Sequence, residues 1–524
     1  MDIDKFKIII LVHIISLTSF QGYGQDNTIG LLLCQEASHS GYVLFSPIRN
    51  RTAYLINNCG QVINEWETDN FPNRMSYLKP NGNLIRATLN NKVEERNWDN
   101  EVLWEFDFTT LGYDIHHDMA LMPNGNVLIM ATELIPEETL LDLGRASDII
   151  DQGLLSEVIV ELEFDGMRVD TIWSWRLIDH IVQNRDSLLP GFGELSSSPS
   201  LMNLNFVYQD DLVDWVHFNS IDYDSELDQI LLSARHTSEL YVIDHNLSTA
   251  EASTNTAGDF GVGGGFLWRW GNPLVYGIGS EVDRDCYGQH DGRWVRTGES
   301  LQISIFNNGD ERDGDYSSVH TLSPMVIPNL SYSRNADGVF LPESFEWSFD
   351  EQSSSSRIFS FIEGGLQAIS ESDFIISESA TGRMIQMSRN GEIKWIYRNP
   401  VNVSILEQYD ELSFGPDFFK SIYLSSDYFN FDVLKGFEGQ IIENENSLSD
   451  DCISSKTSVL FGLESDDIDK DVFISGPKRI IFSKIYSGNV FDFYGNNLIY
   501  FENQDVLDLS AYPIGSLFII QLDN

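Results

Sequence analysis

Three short histidine phrases are the parts of this sequence whose residue types and spacing suit catalysis. They read DIHHD (114–118), DWVHFNS (214–220) and QHDGRW (289–294). His217 and His290 each lie thirteen residues before an isoleucine of the following apolar run, and His117 lies eleven before a leucine, across a shorter Pro-Asn-Gly turn. We therefore expect the three imidazoles at one position of a repeat. A neutral imidazole can attack an electrophile, and a second can carry a proton near neutral pH.

Two arginines follow the histidine strands and add the chemistry of anion binding. Arg235 lies in SARHTS (233–238) and Arg312 in FNNGDER (306–312). A guanidinium offers forked donors that suit a sulfate or a similar oxyanion, although a salt bridge on so acidic a protein explains either arginine alone equally well. We predict a site of two groups, the catalytic His217, His290 and Arg312 and the substrate-binding His117, Arg235, Asn219 and Asn308.

A metal site is an alternative use of the histidines, because three imidazoles on separate elements can bind a divalent ion. Metal-bound histidines are usually oriented by an outer carboxylate. Here an aspartate follows His117 and His290, but Phe218 follows His217, so no carboxylate recurs at a fixed offset. The pattern favours a site with no metal and no cofactor.

The elements that must position these residues are strands in a repeat. Asn-Gly turns between apolar runs, in LKPNGNLI (78–85) and LMPNGNVL (121–128), are typical of β-hairpins. Further strands end in tryptophan, at Trp66, Trp104, Trp173 or Trp175, Trp268 or Trp270, Trp347 and Trp395. Six such anchors predict an all-β fold, a six-bladed β-propeller of four-stranded blades with the tryptophans in the blade cores. Equivalent positions of successive blades then converge on one central funnel.

The two ends of the chain differ from this repeat. Lys5 and Lys7 precede the apolar run 8–17, and a more polar stretch follows, which is the layout of a secretory signal peptide. No later window is apolar enough to span a bilayer. We predict a signal peptide at 1–25, the propeller at 26–434, a polar linker at 435–456 and a small C-terminal β domain at 457–524. The mature protein is expected outside the cytoplasm, in the periplasm, at the cell surface or secreted.

The charge of the chain limits its possible binding partners, and its cysteine content limits its possible disulfides. Eighty acidic against thirty-two basic residues give a formal net charge of -48, which repels nucleic acid and anionic membranes. An anionic small-molecule substrate must therefore be held by a local cationic pocket. The four cysteines are widely spaced, and export permits one disulfide, for which we choose Cys34 with Cys59.

The ordered phrases resemble those of the bacterial arylsulfate sulfotransferases. The resemblance runs from about Gly41 to Pro400 and rests on GYVLFSP (41–47), AYLINNCGQVINEW (53–66), HHDMALMPNGN (116–126), DWVHFNSIDYD (214–224), SARHTS, QHDGRW and FNNGDER. It implies a six-bladed propeller that moves a sulfuryl group from an aryl sulfate to a phenol without a nucleotide sulfate donor. It also implies a covalent sulfohistidine, with other histidines and an arginine steadying the transferred group.

One departure from the family pattern bears on the activity. The family's nucleophilic histidine lies in a later blade, beyond the phrase that resembles FNNGDER, yet no histidine follows His320 in this chain. Either His217 or His290 takes the role of nucleophile, or the protein transfers sulfate poorly or not at all. The alternative function is a non-catalytic propeller that binds an anion or another ligand at the cell surface.

The C-terminal segment from Val472 onward contains several strand-like runs. It resembles the C-terminal sorting domains of the Bacteroidetes type IX secretion system, which implies a partner in the secretion machinery. The alternative is a small β accessory domain with no address function.

Overall fold

Antiparallel β-sheets arranged as a propeller make up most of the described chain. The computed structural model describes residues 27–209, 212–298, 300–314, 316–327, 331–351, 357–409, 415, 417–429, 439–457, 472–474, 479–492, 497–508 and 518–522. Six of the sheets form the blades, and a seventh, separate sheet lies near the C-terminus. The predicted fold class is therefore confirmed. The predicted signal peptide lies outside the described residues.

The first three blades follow the hairpin repeat. From the central axis outward, blade 1 contains β27 (Ile422–Ser425), β2 (Gly41–Phe45), β3 (Thr52–Asn57) and β4 (Val62–Glu67). Blade 2 contains β5 (Pro72–Leu78), β6 (Leu84–Thr88), β7 (Lys92–Arg96) and β8 (Val102–Asp107). Blade 3 contains β9 (Asp114–Leu121), β10 (Val127–Ile135), β11 (Leu154–Phe164) and β12 (Val169–Arg176).

The other three blades have the same order. Blade 4 contains β15 (Phe218–Asp224), β16 (Gln229–Ala234), β17 (Glu239–Asp244) and β18 (Trp268–Trp270). Blade 5 contains β19 (His290–Thr297), β20 (Ser300–Asn307), β21 (Ser318–Leu322) and β22 (Trp347–Phe349). Blade 6 contains β23 (Gly365–Ala368), β24 (Asp373–Glu378), β25 (Arg383–Ser388) and β26 (Ile393–Arg398), with β1 (Gly30–Cys34) added at its outer edge.

The ring is closed by a strand from late in the chain. β27 pairs antiparallel with β2, where Tyr42 faces Leu424 and Leu44 faces Ile422, so residues far apart in sequence share blade 1. Pairing with β27 gives β2 a partner on both sides, and the propeller keeps only short, protected strand edges, which limits aggregation. The innermost strands of neighbouring blades contact one another around the axis.

The predicted tryptophans lie in the outermost strand of each blade and link it to other chain segments. All are buried except Trp347, which is partly exposed. Most indole N–H groups donate to a backbone carbonyl of the next blade or its loops, as from Trp66 to Asn97 at 3.0 Å and from Trp395 to Asn58 at 2.8 Å. Trp395 thereby joins blade 6 to blade 1. Because each indole is hydrogen-bonded and all but that of Trp347 are buried, the tryptophans are core residues, as predicted.

Several shorter elements complete the described chain. The helices are α1 (Glu137–Leu143), α2 (Thr249–Ala252) and α3 (Ser447–Thr457), and a parallel pair is formed by β13 (Ile181–Val182) and β14 (Met202–Asn203). Short 3-10 helices occur at Phe108–Thr110, Ser147–Ile149, Leu177–Asp179, Leu195–Ser197, Pro273–Tyr276, Glu281–Asp283 and Ser379–Thr381. The C-terminal sheet consists of β28 (Val472–Ile474), β29 (Arg479–Asp492), β30 (Asn497–Asp508) and β31 (Phe518–Leu522). None of the helices in the described ranges has the length and apolar composition needed to cross a membrane.

The disulfide differs from the predicted pair. Cys59 is bonded to Cys452 in α3, with Cα atoms 5.5 Å apart and 393 residues between them in sequence. Cys34 stays a thiol, with its sulfur 3.4 Å from that of Cys452. The choice of Cys34 with Cys59 was therefore wrong, because α3 lies over blades 1 and 6 and brings Cys452 to Cys59. In the stretch predicted as a polar linker, residues 439–452 pack on the propeller, with Ile442 and Asn446 buried. The domain boundaries themselves stay predictions.

Loss of this disulfide is expected to destabilise the fold. Cys59→Ser should lower the free energy of unfolding by about 2–4 kcal/mol, because the bond closes a long loop in the unfolded chain. Urea unfolding measures the change, and Cys34→Ser, which keeps the bond, is the matched control. Peptide mapping without reductant should recover the Cys59 peptide joined to the Cys452 peptide. Recovery of a Cys34–Cys59 pair instead would contradict the structure.

A histidine between blades 3 and 4 is expected to make stability depend on pH. His245 Nδ1 lies 2.7 Å from Asp228 Oδ1, and its Nε2 lies 3.1 Å from Glu161 Oε2. Burial alone would lower the pKa of His245, but hydrogen bonds to Glu161 and Asp228 outweigh burial and raise that pKa above its ordinary value. The charged imidazole thus stabilises the folded state below the ordinary histidine pKa of about 6.5, and this contribution is lost as pH rises through the higher folded value.

The test compares wild type with His245→Gln in urea unfolding from about pH 6 to about pH 9. The difference in the free energy of unfolding should be largest at the acidic end and shrink as pH rises. A difference that stays constant or grows with pH would show that His245 is neutral in the folded protein.

Candidate active site

Near the start of the innermost strand in five blades, one residue lies in the left-handed region of backbone conformation. These residues are Arg74 (φ 69°), His117 (φ 52°), His217 (φ 55°), Asp291 (φ 56°) and Glu363 (φ 57°). In blades 2 to 5 the inner ladder is also interrupted by a β-bulge at this point. Left-handed non-glycine residues are costly and cluster at functional sites, where bulges redirect side chains. The feature marks one end of the propeller axis as the site.

The bulges give a reference point for comparing the positions of the histidines in blades 3, 4 and 5. The first regular ladder residues after the bulge in blades 3, 4 and 5 are Met119, Ser220 and Arg293. Three positions before them lie His116, His217 and His290. By this count His116, His217 and His290 share one position of the repeat, whereas the left-handed conformation is shared by His117, His217 and Asp291.

Four imidazoles converge at this end of the axis. The ring centroid of His217 lies 4.9 Å from that of His116, 4.8 Å from that of His117 and 4.8 Å from that of His236. The rings of His116 and His117 are 4.1 Å apart. We call these four residues the histidine cluster. Its members come from β9 of blade 3 and from both ends of the first hairpin of blade 4, so two blades build it.

Carboxylates orient the histidine cluster. Asp214 Oδ2 lies 2.5 Å from Nδ1 of His217, and the backbone carbonyl of Asp214 lies 3.1 Å from Nδ1 of His236. A carbonyl or carboxylate oxygen accepts, so both Nδ1 atoms carry the proton and both Nε2 atoms keep a lone pair. Glu157 accepts the backbone N–H of Phe218 at 2.9 Å and lies 3.8 Å from Nδ1 of His116. The rings of His217 and His236 are therefore held in one tautomer and one orientation.

Burial favours the neutral form of three imidazoles in the cluster. It lowers the pKa of His117 well below its usual value, and the nearby His116 and His217 lower it further. Burial also lowers the pKa of His236 and, against the hydrogen bond that His217 donates to Asp214, that of His217. The carboxyl of Asp214 is ionised, because the hydrogen bond from His217 outweighs burial and lowers its pKa. The pair is thus a neutral imidazole beside a carboxylate.

His290 lies deeper than the cluster and is held differently. Its Nδ1 contacts Asn308 Oδ1 at 2.8 Å, and burial lowers the pKa of His290 to about 3. The amide of Asn308 donates in turn to the backbone carbonyl of Glu363 at 2.7 Å. The side chain of Glu363 accepts from Arg74 at 2.6 Å, and burial raises its pKa to about 7 despite that arginine. This chain of contacts links blades 5, 6 and 2 at the same end of the axis.

The two predicted arginines have different surroundings. Arg235 donates its backbone N–H to the carbonyl of His217 at 2.9 Å, and its guanidinium lies 3.1 Å from Asp310 Oδ2. It is therefore beside the cluster. Arg312 donates to Ser318 Oγ at 3.0 Å and to the carbonyl of Tyr316 at 2.8 Å. Its guanidinium stacks over the Tyr316 ring at 3.9 Å, so its described contacts stay within blade 5 and not with the cluster.

The two predicted asparagines join blades. Asn219 is fully buried and donates to the carbonyl of Gln289 at 2.7 Å. The side-chain N–H groups of Asn308 donate to the backbone carbonyls of Ser360, at 2.8 Å, and of Glu363. Its side-chain oxygen contacts Nδ1 of His290. These bonds hold the inner strands in position. Asn219 and Asn308 therefore lie behind the site.

Sequence reasoning did not single out four residues at the site. His116, Asp214 and His236 lie inside the phrases DIHHD, DWVHFNS and SARHTS, but the choice of residues within each phrase left them out. Glu363 has no local signal, because its role depends on Arg74, 289 residues earlier.

Further along the inner strands, a buried ion-pair cluster lies on the axis. Lys420 Nζ lies 2.7 Å from Asp118 Oδ2 and 2.6 Å from Asp291 Oδ1, and Arg293 shares Asp291 at 2.8 Å. Lys420 and both aspartates are almost fully buried. A cavity of about 400 Å³ follows, lined in part by Tyr77, Asp222, Arg293 and Lys420. The ion-paired Asp118 and Asp291 directly follow His117 and His290 in sequence. The ion pairs therefore fix the two strands that carry these histidines.

The structures of other proteins resemble this chain only at low identity. A protein of unknown function from Bacteroides caccae is 10% identical, with a TM-score of 0.40, over 74% of this chain and 99% of that chain. Virginiamycin B lyase from Staphylococcus aureus is 11% identical, with a TM-score of 0.33, over 71% and 88%. The β-propeller domain of Cps50 (Swd1) from Myceliophteria thermophila is 11% identical, with a TM-score of 0.34, over 72% and 90%.

The sequence comparisons are more specific. No curated protein matches the chain. The arylsulfotransferase (ASST) family model matches residues 40–337, which is more than half of the 524 residues and contains all of blade 1 except β27, blades 2 to 4, blade 5 except β22, and the whole histidine cluster. The chain therefore belongs to the arylsulfotransferase (ASST) family.

Proposed function

We propose that this protein transfers a sulfuryl group from an aryl sulfate to a phenolic acceptor, with His217 as the nucleophile. The observation that carries the proposal is the Asp214–His217 pair, at 2.5 Å, inside a cluster of four imidazoles in a chain of the arylsulfotransferase family. A carboxylate that accepts Nδ1–H directs the Nε2 lone pair outward and stabilises the positive charge that develops on the ring.

His217 fits the role of nucleophile better than His290. The side chain of His217 is 17% exposed, whereas His290 as a whole residue is only 2% exposed and its Nδ1 is bound by Asn308. A nucleophile must reach the sulfur atom of the donor, and a buried, weakly basic imidazole cannot. In this proposal His217 of blade 4 takes the role of nucleophile, since no histidine follows His320.

The transfer has two steps. In the first, the lone pair of His217 Nε2 forms a bond to sulfur, the bond from sulfur to the aryl oxygen breaks, and the first phenol leaves as its phenolate. In the second, the acceptor phenol gives its proton to Nε2 of His236 and attacks sulfur, and the nitrogen–sulfur bond breaks. The proton passes from His236 to solvent, where the phenolate takes it up. General base catalysis of this kind needs a neutral imidazole, which burial provides at His236.

Arg235 is the cation placed to bind the sulfuryl oxygens. One of its terminal nitrogens is bound to Asp310, and Tyr208 donates to the same carboxylate at 2.7 Å, which fixes the guanidinium beside His217. Fixed donors stabilise charge that develops on oxygen during transfer. Arg312, bound within blade 5, contributes to the shape of this end of the axis. No cofactor is needed.

Turnover of 4-nitrophenyl sulfate by the purified protein, with and without added phenol, tests the proposal. Release of nitrophenolate that depends on the acceptor supports transfer, and phenyl sulfate should appear in equal amount. Continued release beyond one equivalent without an acceptor would show hydrolysis and overturn the acceptor role. No release across several donors, in protein whose circular dichroism shows a folded state, would favour the ligand-binding propeller instead.

We also propose that the protein acts outside the cytoplasm. The signal-peptide pattern at 1–25 and the Cys59–Cys452 disulfide support export, because disulfides persist in oxidising compartments. The likeness of the C-terminal segment to type IX sorting domains supports a role in that export. Cell fractionation of the native host, with and without residues 457–524, tests this, and protein retained in the cytoplasm would contradict it.

A further inference from the structure

The histidine cluster has the arrangement of a metal site as well as that of a nucleophile. The nitrogen atoms of His116, His117 and His217 that could bind an ion all lie within 4.8 Å of one another. A tetrahedral zinc site with bonds of about 2.0–2.1 Å needs ligand nitrogens about 3.3 Å apart. The cluster therefore needs a contraction of up to about 1.5 Å, which small side-chain rotations supply.

Two of these imidazoles have a ring nitrogen that no protein atom satisfies. Nδ1 of His117 is buried and has no hydrogen-bond partner in the described structure, and the residue is only 9% exposed. Nδ1 of His116 is likewise buried without a hydrogen bond, at 3.8 Å from Glu157. Buried polar atoms are nearly always satisfied, so an unsatisfied one facing other imidazoles points to a missing ligand.

The third imidazole has the outer partner that metal-bound histidines require. Nδ1 of His217 is bound to Asp214, which leaves Nε2 for coordination and makes the ring more basic. The sequence alone gave no fixed offset for such a carboxylate, because Asp214 precedes the histidine by three residues and Glu157 comes from another blade. Both carboxylates are nonetheless in place around the cluster.

Charge favours a cation here more than an anion. The formal net charge of -48 attracts divalent ions, and Asp214 and Glu157 add negative charge locally. The two arginines beside the cluster are both paired, Arg235 with Asp310 at 3.1 Å and Arg74 with Glu363 at 2.6 Å. Neutral imidazoles prefer zinc, copper or nickel to calcium or magnesium.

We propose that His116, His117 and His217 bind one divalent transition metal ion, of which zinc fits best, with the fourth position facing His236 or solvent. Three histidines and one open position are a common zinc arrangement. The site goes beyond sulfuryl transfer, since it would bind metal even in a protein that transfers nothing.

A second consequence rests on the proposed function. Nε2 of His217 is the atom that attacks sulfur, and a metal bound there takes up the same lone pair. Zinc and the aryl sulfate therefore compete, and zinc should inhibit transfer in proportion to its occupancy of the site.

The test is calorimetric titration of chelator-treated protein with zinc chloride, in the absence of substrate. One equivalent should bind. Loss of an outer partner usually weakens metal binding ~10–100-fold, so loss of a ligand in His117→Ala or His217→Ala should weaken it more than this. His39→Ala is the matched control, because His39 is also a partly exposed histidine beside an aspartate, at 3.1 Å from Asp373, but lies outside the cluster.

The outcomes separate the two proposals. No stoichiometric binding, or equal binding by wild type and His217→Ala, would overturn the metal site. If the alanine variants fail to fold, cobalt(II) bound to wild type should show the intense visible absorption of a tetrahedral nitrogen site, and its absence would overturn the site equally. Zinc binding without any sulfuryl transfer would support the site and remove the proposed function. Transfer unaffected by saturating zinc would refute the competition.

Discussion

Replacing His217 with alanine is expected to lower the rate of sulfuryl transfer by at least about 10⁴-fold, the scale on which enzymes lose activity when the nucleophile is removed. The variant keeps Arg235 and the remaining imidazoles but has no atom that can form the covalent bond to sulfur. Steady-state release of 4-nitrophenolate at saturating phenol measures the change. A burst of one equivalent of nitrophenolate should also disappear, because the sulfohistidine no longer forms.

Two further variants sharpen this experiment. Asp214→Asn keeps the nucleophile and loses the carboxylate that orients it, so it should show a smaller loss, about 10²–10⁴-fold. His39→Ala, whose histidine also contacts an aspartate, should retain wild-type turnover. Full turnover by folded His217→Ala would assign the nucleophile elsewhere, and His290→Ala would then be decisive. Full activity of both would show that neither residue acts as assigned.

Replacing Lys420 with methionine is expected to lower the free energy of unfolding by about 3–5 kcal/mol. Lys420 is 1% exposed and is the shared partner of Asp118 and Asp291, which are 0% and 2% exposed. Methionine fills a similar volume but leaves two buried carboxylates with less compensating charge, and the loss of one partner of a buried ion pair is strongly destabilising. Urea unfolding followed by fluorescence measures the effect.

Lys92→Met is the matched control for this experiment. Lys92 also forms a short ion pair, at 2.6 Å from Glu105, but that glutamate is 52% exposed. Exposed pairs contribute little, so a change below about 1 kcal/mol is expected. A Lys420→Met protein as stable as the control variant would show that the carboxylates become protonated or hydrated at little cost, contrary to the structural argument.

The parts of the fold that the sequence predicted correctly have local signals. The turns at 78–85 and 121–128 connect β5 to β6 and β9 to β10, because Asn-Gly favours a tight turn whatever surrounds it. The tryptophans alternate with polar residues in the outer strands, and their burial follows from that pattern.

The parts that the sequence did not predict depend on contacts between distant residues. β27 pairs with β2, and Cys452 with Cys59, across most of the propeller sequence, and neither contact has a short-range pattern. The predicted pair Cys34 and Cys59 was chosen for closeness in sequence, which is a weak guide when a later helix packs over both.

The same reason explains the mixed result at the site. Convergence of histidines was predictable, because equivalent positions in a propeller surround one axis. Both His116 and His117 lie against the ring of His217, beside the bulge in β9, and this bulge leaves no mark in the sequence. Arg312 was placed by its proximity to a histidine strand, yet acceptors within its own blade, at Tyr316 and Ser318, are nearer.

Closure of blade 1 by β27 also determines the order of events during synthesis. Residues 41–67 leave the ribosome early, but the strand that completes their sheet follows more than 350 residues later. Until then β2 presents an unpaired edge, and a topology with such distant pairing folds slowly. The nascent chain must therefore be kept from aggregating for most of its synthesis, and a product truncated before residue 422 would be an open arc of blades prone to self-association. Passage through a membrane channel as an unfolded chain, before this last strand arrives, is compatible with that delay.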